Sequence, residues 1–278
     1  MKSLIKKILK EISPPLIIRI FNNLKLFFLK EFQTSFDGVY HNQNNIEDES
    51  PWSKQPWLDV QNKTLNTLNL SKKGELQEQN LADFELIPSL LISSLAYKSE
   101  CNIFDVGGGT GLTFFKMAPY IKEIKNVNYH IFDNQELARS GKKFLEKVKH
   151  NLNIFFHEKI EDDYSFNIDL IFINSSIQYI CEYELFLEDI INHSPKYIVI
   201  TQLPCGEFKT FFSKQNQRGY NTPIIFFNKN DFLKVFLNNG YACICDFPVD
   251  ELYKDSFFKN FPDDHKIKNT RNFVFEKL

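Results

Sequence analysis

The feature that most constrains the fold is a glycine-rich stretch after a short apolar run, between Cys101 and Leu112. Four of the ten glycines in the chain lie within five positions, at Gly107, Gly108, Gly109 and Gly111. Glycine has no Cβ, so clustered glycines let the backbone of a turn approach a ligand closely. Residues 112–121 then have apolar side chains at helical spacing. Strand, glycine loop and helix together predict the first βα unit of a Rossmann-like nucleotide site.

Two acidic residues stand at the ends of predicted strands. Asp105 stands two residues before the first glycine, and Asp133 closes the run that begins at Val127. The resulting pattern Asp-x-Gly-x-Gly-x-Gly is similar to the first motif of class I S-adenosylmethionine-dependent methyltransferases. That resemblance implies the cofactor S-adenosyl-L-methionine. It also implies that Asp105 reaches the ammonium group or an ordered water beside the glycine loop. A carboxylate in the position of Asp133 can accept hydrogen bonds from both ribose hydroxyls.

Bulk properties exclude some classes of protein. The 278 residues suffice for one large domain with an attached segment. A net charge of −2 gives no support for nucleic-acid binding. The five cysteines are odd in number and form no Cys-x-x-Cys pair, so we expect no metal site and no disulfide framework. A reducing, cytoplasmic location fits this pattern.

The first 30 residues form a distinct basic segment, with seven Lys or Arg against one acid, Glu11. Apolar residues between Leu4 and Ile12 share one helical face, and Pro14-Pro15 ends that helix. Polar residues interrupt the following apolar run, so we predict neither a transmembrane span nor a signal peptide. Two interpretations stay open. The arm lies on the inner, anionic surface of the membrane, or it packs on the domain or on a second subunit of a homodimer.

A polar segment separates this arm from the glycine loop. Ser35–Tyr40 is predicted to be a turn, and 51–57 an irregular loop in which Trp52 and Trp57 either line a pocket or anchor the loop. Helical spacing returns over 79–95. We therefore divide the chain into a helical arm (1–30), an N-terminal cap with a helix (31–98) and a cofactor-binding domain (99–278).

Short apolar runs alternate with helical stretches after the loop. Strands are predicted at 153–157, 167–173 and 196–201, followed by a closing antiparallel hairpin of 241–247 and 272–275. This alternation predicts an α/β fold with a doubly wound, mostly parallel sheet, as in Rossmann-like class I methyltransferases, preceded by the helical arm and cap.

Ligands of open parallel sheets bind beyond the carboxyl ends of the strands. His193 precedes a strand and is therefore interpreted as structural. His157 or Glu158, after the third strand, is placed to meet the adenine edge. The residues predicted to bind the cofactor all follow strands: Asp105, Gly107, Gly108, Gly109, Gly111, Asp133, Asn134, His157, Glu158, Asn174 and Ser175.

The stretch from Asn174 to Ile180 carries hydroxyl and amide side chains with few charges. In this fold the fourth strand opens beneath the sulfonium, so Ser176, Gln178 and Tyr179 are the candidate catalytic residues. None of them is a ready base at neutral pH, and their role is to orient the acceptor. A serine that caps a helix is the structural alternative.

Four stretches resemble a narrower family of bacterial S-adenosylmethionine-dependent methyltransferases, often encoded among surface-polysaccharide biosynthesis genes. They are Phe36–Tyr40, Phe104–Gly111, Ser175–Ile180 and Lys214–Tyr220. The Ser-x-x-Gln-Tyr pattern within 175–180 is the most specific. The chain departs from the family at Asp133-Asn134, where Glu-Gln is usual, and at Thr201-Gln202, where Asp-Arg is frequent.

The resemblance implies O-methylation of a sugar, nucleotide sugar or lipid-linked glycan, with Tyr40 or Tyr220 closing over the acceptor. Two alternatives remain open at this point. One is a catalytically degenerate methyltransferase fold that acts as a binding or scaffold protein. The other is an oxidoreductase that uses a dinucleotide, against which the short loop and Asp105 argue.

Overall fold

The computed structural model describes residues 35–121, 123–160, 165–217, 219–249 and 253–278. The predicted basic arm (1–30) lies outside these residues. The described helices are α1 (Gln55–Leu65), α2 (Asp83–Lys98), α3 (Leu112–Met117), α4 (Gln135–Leu145), α5 (Tyr183–Asn192) and α6 (Lys229–Asn238). The described strands are β1 (Ser35–Tyr40), β2 (Cys101–Val106), β3 (Val127–Phe132), β4 (Asn153–His157), β5 (Leu170–Asn174), β6 (Tyr197–Leu203), β7 (Cys205–Gly206), β8 (Phe211–Gln217), β9 (Tyr220–Asn228), β10 (Tyr241–Pro248), β11 (Phe258–Lys259) and β12 (Arg271–Lys277).

A seven-stranded sheet with the order β10-β12-β6-β5-β2-β3-β4 forms the centre of the molecule. Strands β2 to β6 run parallel, and β12 joins β6 in the antiparallel sense with β10 beyond it. Strand β2 pairs with both β3 and β5, so the strand order reverses at β2. This confirms the predicted doubly wound, mostly parallel sheet. The reversal creates a crevice at the carboxyl end of β2, which is where ligands bind in such sheets.

Helices cover both faces of this sheet, because its strands are apolar on both sides. On one face, Ile92 of α2 and Phe114 of α3 pack on the sheet, and both are fully buried. On the other, Leu187 of α5 and Phe236 of α6 are equally buried. Phe172 in β5 has no exposed surface, as expected for a strand between two helical layers. The two layers fix the carboxyl edge of the sheet, and with it the glycine loop.

The connection between β4 and β5 departs from the predicted alternation of strand and helix. Its described residues, 158–160 and 165–169, form no helix. Phe166 instead packs against Phe104, with ring centroids 6.2 Å apart, and stacks on His130 at 5.1 Å. An aromatic side chain therefore covers the part of the sheet face that a crossover helix would otherwise cover.

A second sheet, with the order β11-β1-β8-β9-β7, stands beside the first. The prediction of a turn at Ser35–Tyr40 is wrong, because these residues form β1 between β8 and β11. The positive φ of Gly38 (+76°) accompanies a register shift within that strand, between Asp37 and Tyr40. Phe36 is fully buried in an aromatic cluster. Its ring centroid lies 5.2 Å from that of Phe226 and 5.5 Å from that of Phe258. Long-range aromatic packing therefore outweighs the local turn signal.

Several boundaries also differ from the predictions. Helix α2 begins at Asp83 rather than at residue 79. The Glu85 side chain caps this start by accepting the Ala82 N–H at 2.8 Å. Helix α3 ends at Met117, ahead of Pro119, which cannot extend an α-helix. The predicted irregular loop at 51–57 contains a short 3-10 turn and the first residues of α1. Among the described residues, no helix combines the length and apolar character needed to cross a membrane.

Candidate functional site

The glycine loop leaves β2 and packs directly against the segment that follows β5. Gly107 has a φ of +73°, and a Cβ on it would lie 2.4 Å from the Ser176 Cβ. Its N–H donates to the Phe132 carbonyl oxygen at 2.8 Å, which anchors the loop to β3. Gly111, at φ +79°, is the N-cap residue that precedes α3. Only glycine satisfies both the backbone conformation and the packing at Gly107.

Asp133 follows β3 and is bound to the loop. Its Oδ2 accepts the Gly109 N–H at 2.8 Å, and its Oδ1 accepts the Asn134 N–H at 2.7 Å. The Asn134 side chain in turn accepts the Leu137 N–H at 3.0 Å and caps α4. Burial raises the pKa of Asp133, and the two backbone donors oppose that rise. Because a carboxylate oxygen has two lone pairs, each oxygen keeps acceptor capacity for a ligand.

Asp105, by contrast, lies beneath the loop. Its side chain is 1% exposed, and a Cβ on Gly108 would lie 2.5 Å from its Oδ2. The Tyr129 hydroxyl donates to Oδ2 at 2.9 Å, while Oδ1 has no partner among the described residues. Burial raises the pKa of Asp105 to about 7; the Tyr129 hydrogen bond opposes the rise and the charge of Asp133 adds to it. The carboxylate expected to reach an ammonium group therefore lies outside the cavity lining, because the loop backbone covers it.

A cavity of about 670 Å³ opens above the loop. Loop and sheet residues line one side: Gly107, Gly108, Gly109, Asp133, Asn134, Asn174, Ser175 and Ser176. The other side is lined by side chains from α2, α3, α4, the segment around α1, the turn after β5 and the second sheet. They are Trp52, Trp57, Gln61, Phe84, Glu85, Leu112, Thr113, Lys116, Leu137, Tyr179 and Gln217. Several residues predicted from separate strand ends thus surround one space.

The segment after β5 is held by its own hydrogen bonds. Ser175 has a positive φ of 51°, and its N–H donates to the Thr201 carbonyl oxygen at 3.0 Å. The Ser176 hydroxyl donates to the Val106 carbonyl oxygen at 2.8 Å, and Gln178 Nε2 donates to the Ser175 hydroxyl at 3.0 Å. Ser176 precedes a short 3-10 turn without capping it through its side chain. Its hydroxyl instead ties this segment to the end of β2.

Tyr179 forms an aromatic wall of the cavity together with two tryptophans. The ring centroids of Tyr179 and Trp52 are 4.7 Å apart. Trp52 in turn packs edge-on against Trp57, with ring centroids 5.0 Å apart. Burial raises the pKa of Tyr179 to about 12, and side-chain hydrogen bonds from Gln215 and Gln178 oppose that rise. The phenol is therefore neutral near pH 7. Its position couples the cavity to the second sheet, where Gln215 lies.

Six predicted site residues do not line this cavity: Asp105 and Gly111, described above, and Gln178, Tyr40, His157 and Glu158. Gln178 is 2% exposed and lies behind the wall, and Tyr40 pairs with Phe212 within the second sheet. His157 Nε2 lies 3.0 Å from His130 Nδ1, and burial together with His157 lowers the pKa of His130 to about 4. Glu158 lines an adjoining cavity of about 640 Å³, which also contacts Asp133 and Asn134. His193, interpreted as structural, lines that adjoining cavity as well.

Sequence reasoning missed several lining residues. Glu85 and Lys116 form an ion pair between α2 and α3 at the cavity, and no local pattern connects two residues so far apart in sequence. Gln217 lies within the Lys214–Tyr220 stretch that carries the family resemblance, so that signal could have identified it. In the part of the chain that the structure describes, no three His, Cys, Asp or Glu side chains converge as metal ligands would.

Comparison with known proteins gives matches among solved structures alone. No family model and no curated protein matches the chain. A methyltransferase dependent on S-adenosylmethionine from Methanosarcina mazei aligns with 65% of this chain and 94% of its own, at 12% identity and a TM-score of 0.47. Another such methyltransferase, from Aquifex aeolicus, aligns with 78% of this chain and 98% of its own, at 14% identity and a TM-score of 0.44. The 1,6-didemethyltoxoflavin-N1-methyltransferase of Burkholderia thailandensis, solved with bound 1,6-didemethyltoxoflavin and S-adenosylhomocysteine, aligns with 70% of this chain and 78% of its own, at 11% identity and a TM-score of 0.45.

Proposed function

We propose that the protein is an S-adenosyl-L-methionine-dependent methyltransferase that acts on a hydroxyl group of a sugar, nucleotide sugar or lipid-linked glycan in surface-polysaccharide biosynthesis. One observation carries the proposal. A single cavity joins the glycine loop and Asp133 to an aromatic wall that contains Trp52 and Tyr179. A donor and an acceptor can therefore occupy one shared space, which is what group transfer between them requires.

The donor half of the cavity fits this cofactor in shape and charge. Gly107 and Gly109 present backbone without Cβ atoms, and Asp133 keeps lone pairs for two ribose hydroxyls. The charged residues of the lining are Asp133, Glu85 and Lys116, a formal balance of one negative charge. At the glycine loop itself, the Asp133 carboxylate takes the Gly109 N–H, which disfavours the anionic pyrophosphate of a dinucleotide there and suits a cationic sulfonium. When bound, the cofactor supplies a methyl group already activated by the sulfonium.

The acceptor half combines aromatic rings with amide side chains. Trp52 and Tyr179 offer ring faces and edges on which the apolar C–H groups of a sugar can pack. Gln61, Gln217 and Asn174 offer amides, which both donate and accept hydrogen bonds. A neutral, hydroxyl-rich ring matches both features. We assign the acceptor site to this wall.

The residues act chiefly by orientation in this proposal. The Tyr179 hydroxyl, with a pKa of about 12, stays protonated near pH 7 and holds the acceptor through a hydrogen bond. Ser176 fixes the loop against the β5 segment through the Val106 carbonyl oxygen. The distance and angle between the donor methyl and the acceptor oxygen then set the rate. Residues 1–30 would bring such an enzyme to the inner membrane surface or join two subunits.

The proposal is tested by methyl transfer from radiolabelled S-adenosylmethionine to a panel of nucleotide sugars. The matched panel of nucleotides without a sugar is the control. We expect label in at least one nucleotide sugar, none in the controls, and inhibition by S-adenosylhomocysteine. Absence of S-adenosylhomocysteine binding in a calorimetric titration would reject the enzymatic function. Tight binding with no transfer to any sugar would reject the acceptor class and favour a scaffold.

A further inference from the structure

The ion pair between Lys116 and Glu85 stands at one end of the proposed donor site. Both Glu85 carboxylate oxygens lie against Lys116 Nζ, Oε2 at 2.5 Å. The Glu85 side chain is 3% exposed and that of Lys116 22% exposed. Oε2 also accepts the Ala82 N–H at 2.8 Å. The glutamate is thus fully engaged, while the lysine reaches the cavity surface.

Helix capping alone does not account for this arrangement. Glu85 caps α2 through Ala82 without any need for a cation, and burying an ion pair costs desolvation free energy that its attraction offsets only in part. An ammonium group carries three N–H donors, and the two Glu85 oxygens engage at most two of them. Lys116 therefore retains donor capacity at the cavity surface, held in place by a charged partner.

The position of Lys116 matches one particular part of the cofactor. The residue lies about 6 Å along α3 from Leu112, where the helix leaves the glycine loop, at 1.5 Å per residue. Thr113, three residues earlier on the same helical face, also lines the cavity. Asp105, the residue expected at the amino-acid end, is covered by the loop. The carboxylate of the amino-acid end is a separate group that needs a cationic partner, and Lys116 is the cation among the residues that line the cavity.

We propose that Lys116 binds the carboxylate of the amino-acid end of S-adenosylmethionine and that Glu85 positions Lys116 for this contact. The inference rests on the proposed function, because it assigns one end of the same donor site. It explains why a buried glutamate that already caps a helix is paired with a lysine at the cavity. It also assigns the carboxylate contact to α2 and α3 rather than to the strand ends.

Two ligands that differ only in the amino-acid end test the assignment by calorimetric titration. S-adenosylhomocysteine carries this end, and 5′-methylthioadenosine lacks it. We expect Lys116→Met to weaken S-adenosylhomocysteine binding about 10- to 100-fold, the range for loss of a hydrogen bond to a charged group. Binding of 5′-methylthioadenosine stays unchanged. Glu85→Gln, which retains the acceptor for Ala82, has a smaller effect on S-adenosylhomocysteine alone.

Lys125→Met is the matched control, since that lysine is 70% exposed and pairs with Glu123 at 3.7 Å. The double variant Glu85→Gln with Lys116→Met leaves no buried unpaired charge, so it covers the case in which Lys116→Met does not fold. Equal losses for both ligands, or no loss for S-adenosylhomocysteine, would overturn the assignment. Unchanged binding of S-adenosylhomocysteine is also the result expected if Lys116 binds a carboxylate of the acceptor instead. A wild-type protein that binds neither ligand rejects the proposed function itself.

Discussion

Oδ2 of Asp133 accepts the backbone N–H of Gly109 at 2.8 Å. The residue after β3 and the loop after β2 therefore form one hydrogen-bonded unit. Oδ1 extends that unit to Asn134, which caps α4. The carboxylate thus fixes the loop and, in the proposed function, also binds the ribose. Substitution of Asp133 should therefore affect ligand binding both directly and through the loop.

Asp133→Ala is expected to weaken S-adenosylhomocysteine binding about 10- to 100-fold, equivalent to about 1.5–3 kcal/mol for a hydrogen bond to a charged group. Asp133→Asn retains an oxygen that accepts the Gly109 N–H, so its loss should be smaller. Calorimetric titration measures both. Asp263→Ala, at a carboxylate with 97% exposure, is the control. Wild-type affinity in Asp133→Ala would contradict the assignment of the ribose site.

Gly107→Ala is expected to destabilise the fold more than the same change at Gly240. Both positions have positive φ, +73° and +79°, so both variants incur a strain of about 1–3 kcal/mol. An added Cβ meets nothing within 4 Å at Gly240 but lies 2.4 Å from the Ser176 Cβ at Gly107. Overpacking adds about 1–3 kcal/mol. Urea denaturation measures the difference; equal free energies of unfolding would mean that the loop moves freely away from Ser176.

At pH values above 7, the Asp105→Asn variant is expected to have a larger free energy of unfolding than the wild type. The pKa of Asp105 rises from 3.8 to about 7 on folding, so the native state binds more protons than the unfolded state between these values. The contribution of Asp105 to stability therefore falls as pH rises through this window and is lowest above pH 7. At ~1.4 kcal/mol per pKa unit the effect is on the order of a few kcal/mol.

Urea denaturation of wild type and Asp105→Asn at pH 5, 6, 7 and 8 checks this linkage. The stability advantage of the variant should grow with pH and level off above pH 7. Asn retains an oxygen that accepts the Tyr129 hydroxyl, so that hydrogen bond is preserved in both proteins. A difference that does not vary with pH would show that Asp105 is already ionised at pH 5.

The central sheet could be predicted because its signals are local. Each strand between β2 and β6 is a short apolar run, and the glycines mark the turn after β2 by their composition alone. Asp133 could be predicted as a site residue because it lies at the end of a strand. Polar residues after parallel strands meet at one edge whatever the connections between them, so Asn174, Ser175 and Ser176 were expected beside the loop.

Other parts of the site depend on pairings between distant residues. Strand β1 forms because Phe36 packs on Phe226 and Phe258, and no signal within 35–40 encodes those contacts. The pairing of Glu85 with Lys116 depends on how α2 crosses α3. Asp105 was expected at the ligand, since a strand-end position does not reveal on which side of the loop a carboxylate lies.

Trp52→Ala is expected to raise the KM for the acceptor about 3- to 10-fold, from a stacking contribution of about 0.5–1.5 kcal/mol. The affinity for S-adenosylhomocysteine should stay within twofold of wild type, because Trp52 belongs to the acceptor wall. Initial rates at saturating donor, together with titration of S-adenosylhomocysteine, separate the two effects. Equal losses in both would place Trp52 in the donor site or assign it a purely structural role.

Tyr179→Phe keeps the ring that meets Trp52 at 4.7 Å and removes the hydroxyl near Gln215. If the hydroxyl orients the acceptor, kcat should fall about 10-fold, equivalent to about 1.4 kcal/mol, with unchanged S-adenosylhomocysteine affinity. Because the pKa of Tyr179 is about 12, the phenol stays protonated between pH 6 and 9. The pH–rate profiles of wild type and variant should therefore be parallel over that range. A basic limb present in wild type and absent from Tyr179→Phe would instead show that the phenolate acts as a general base.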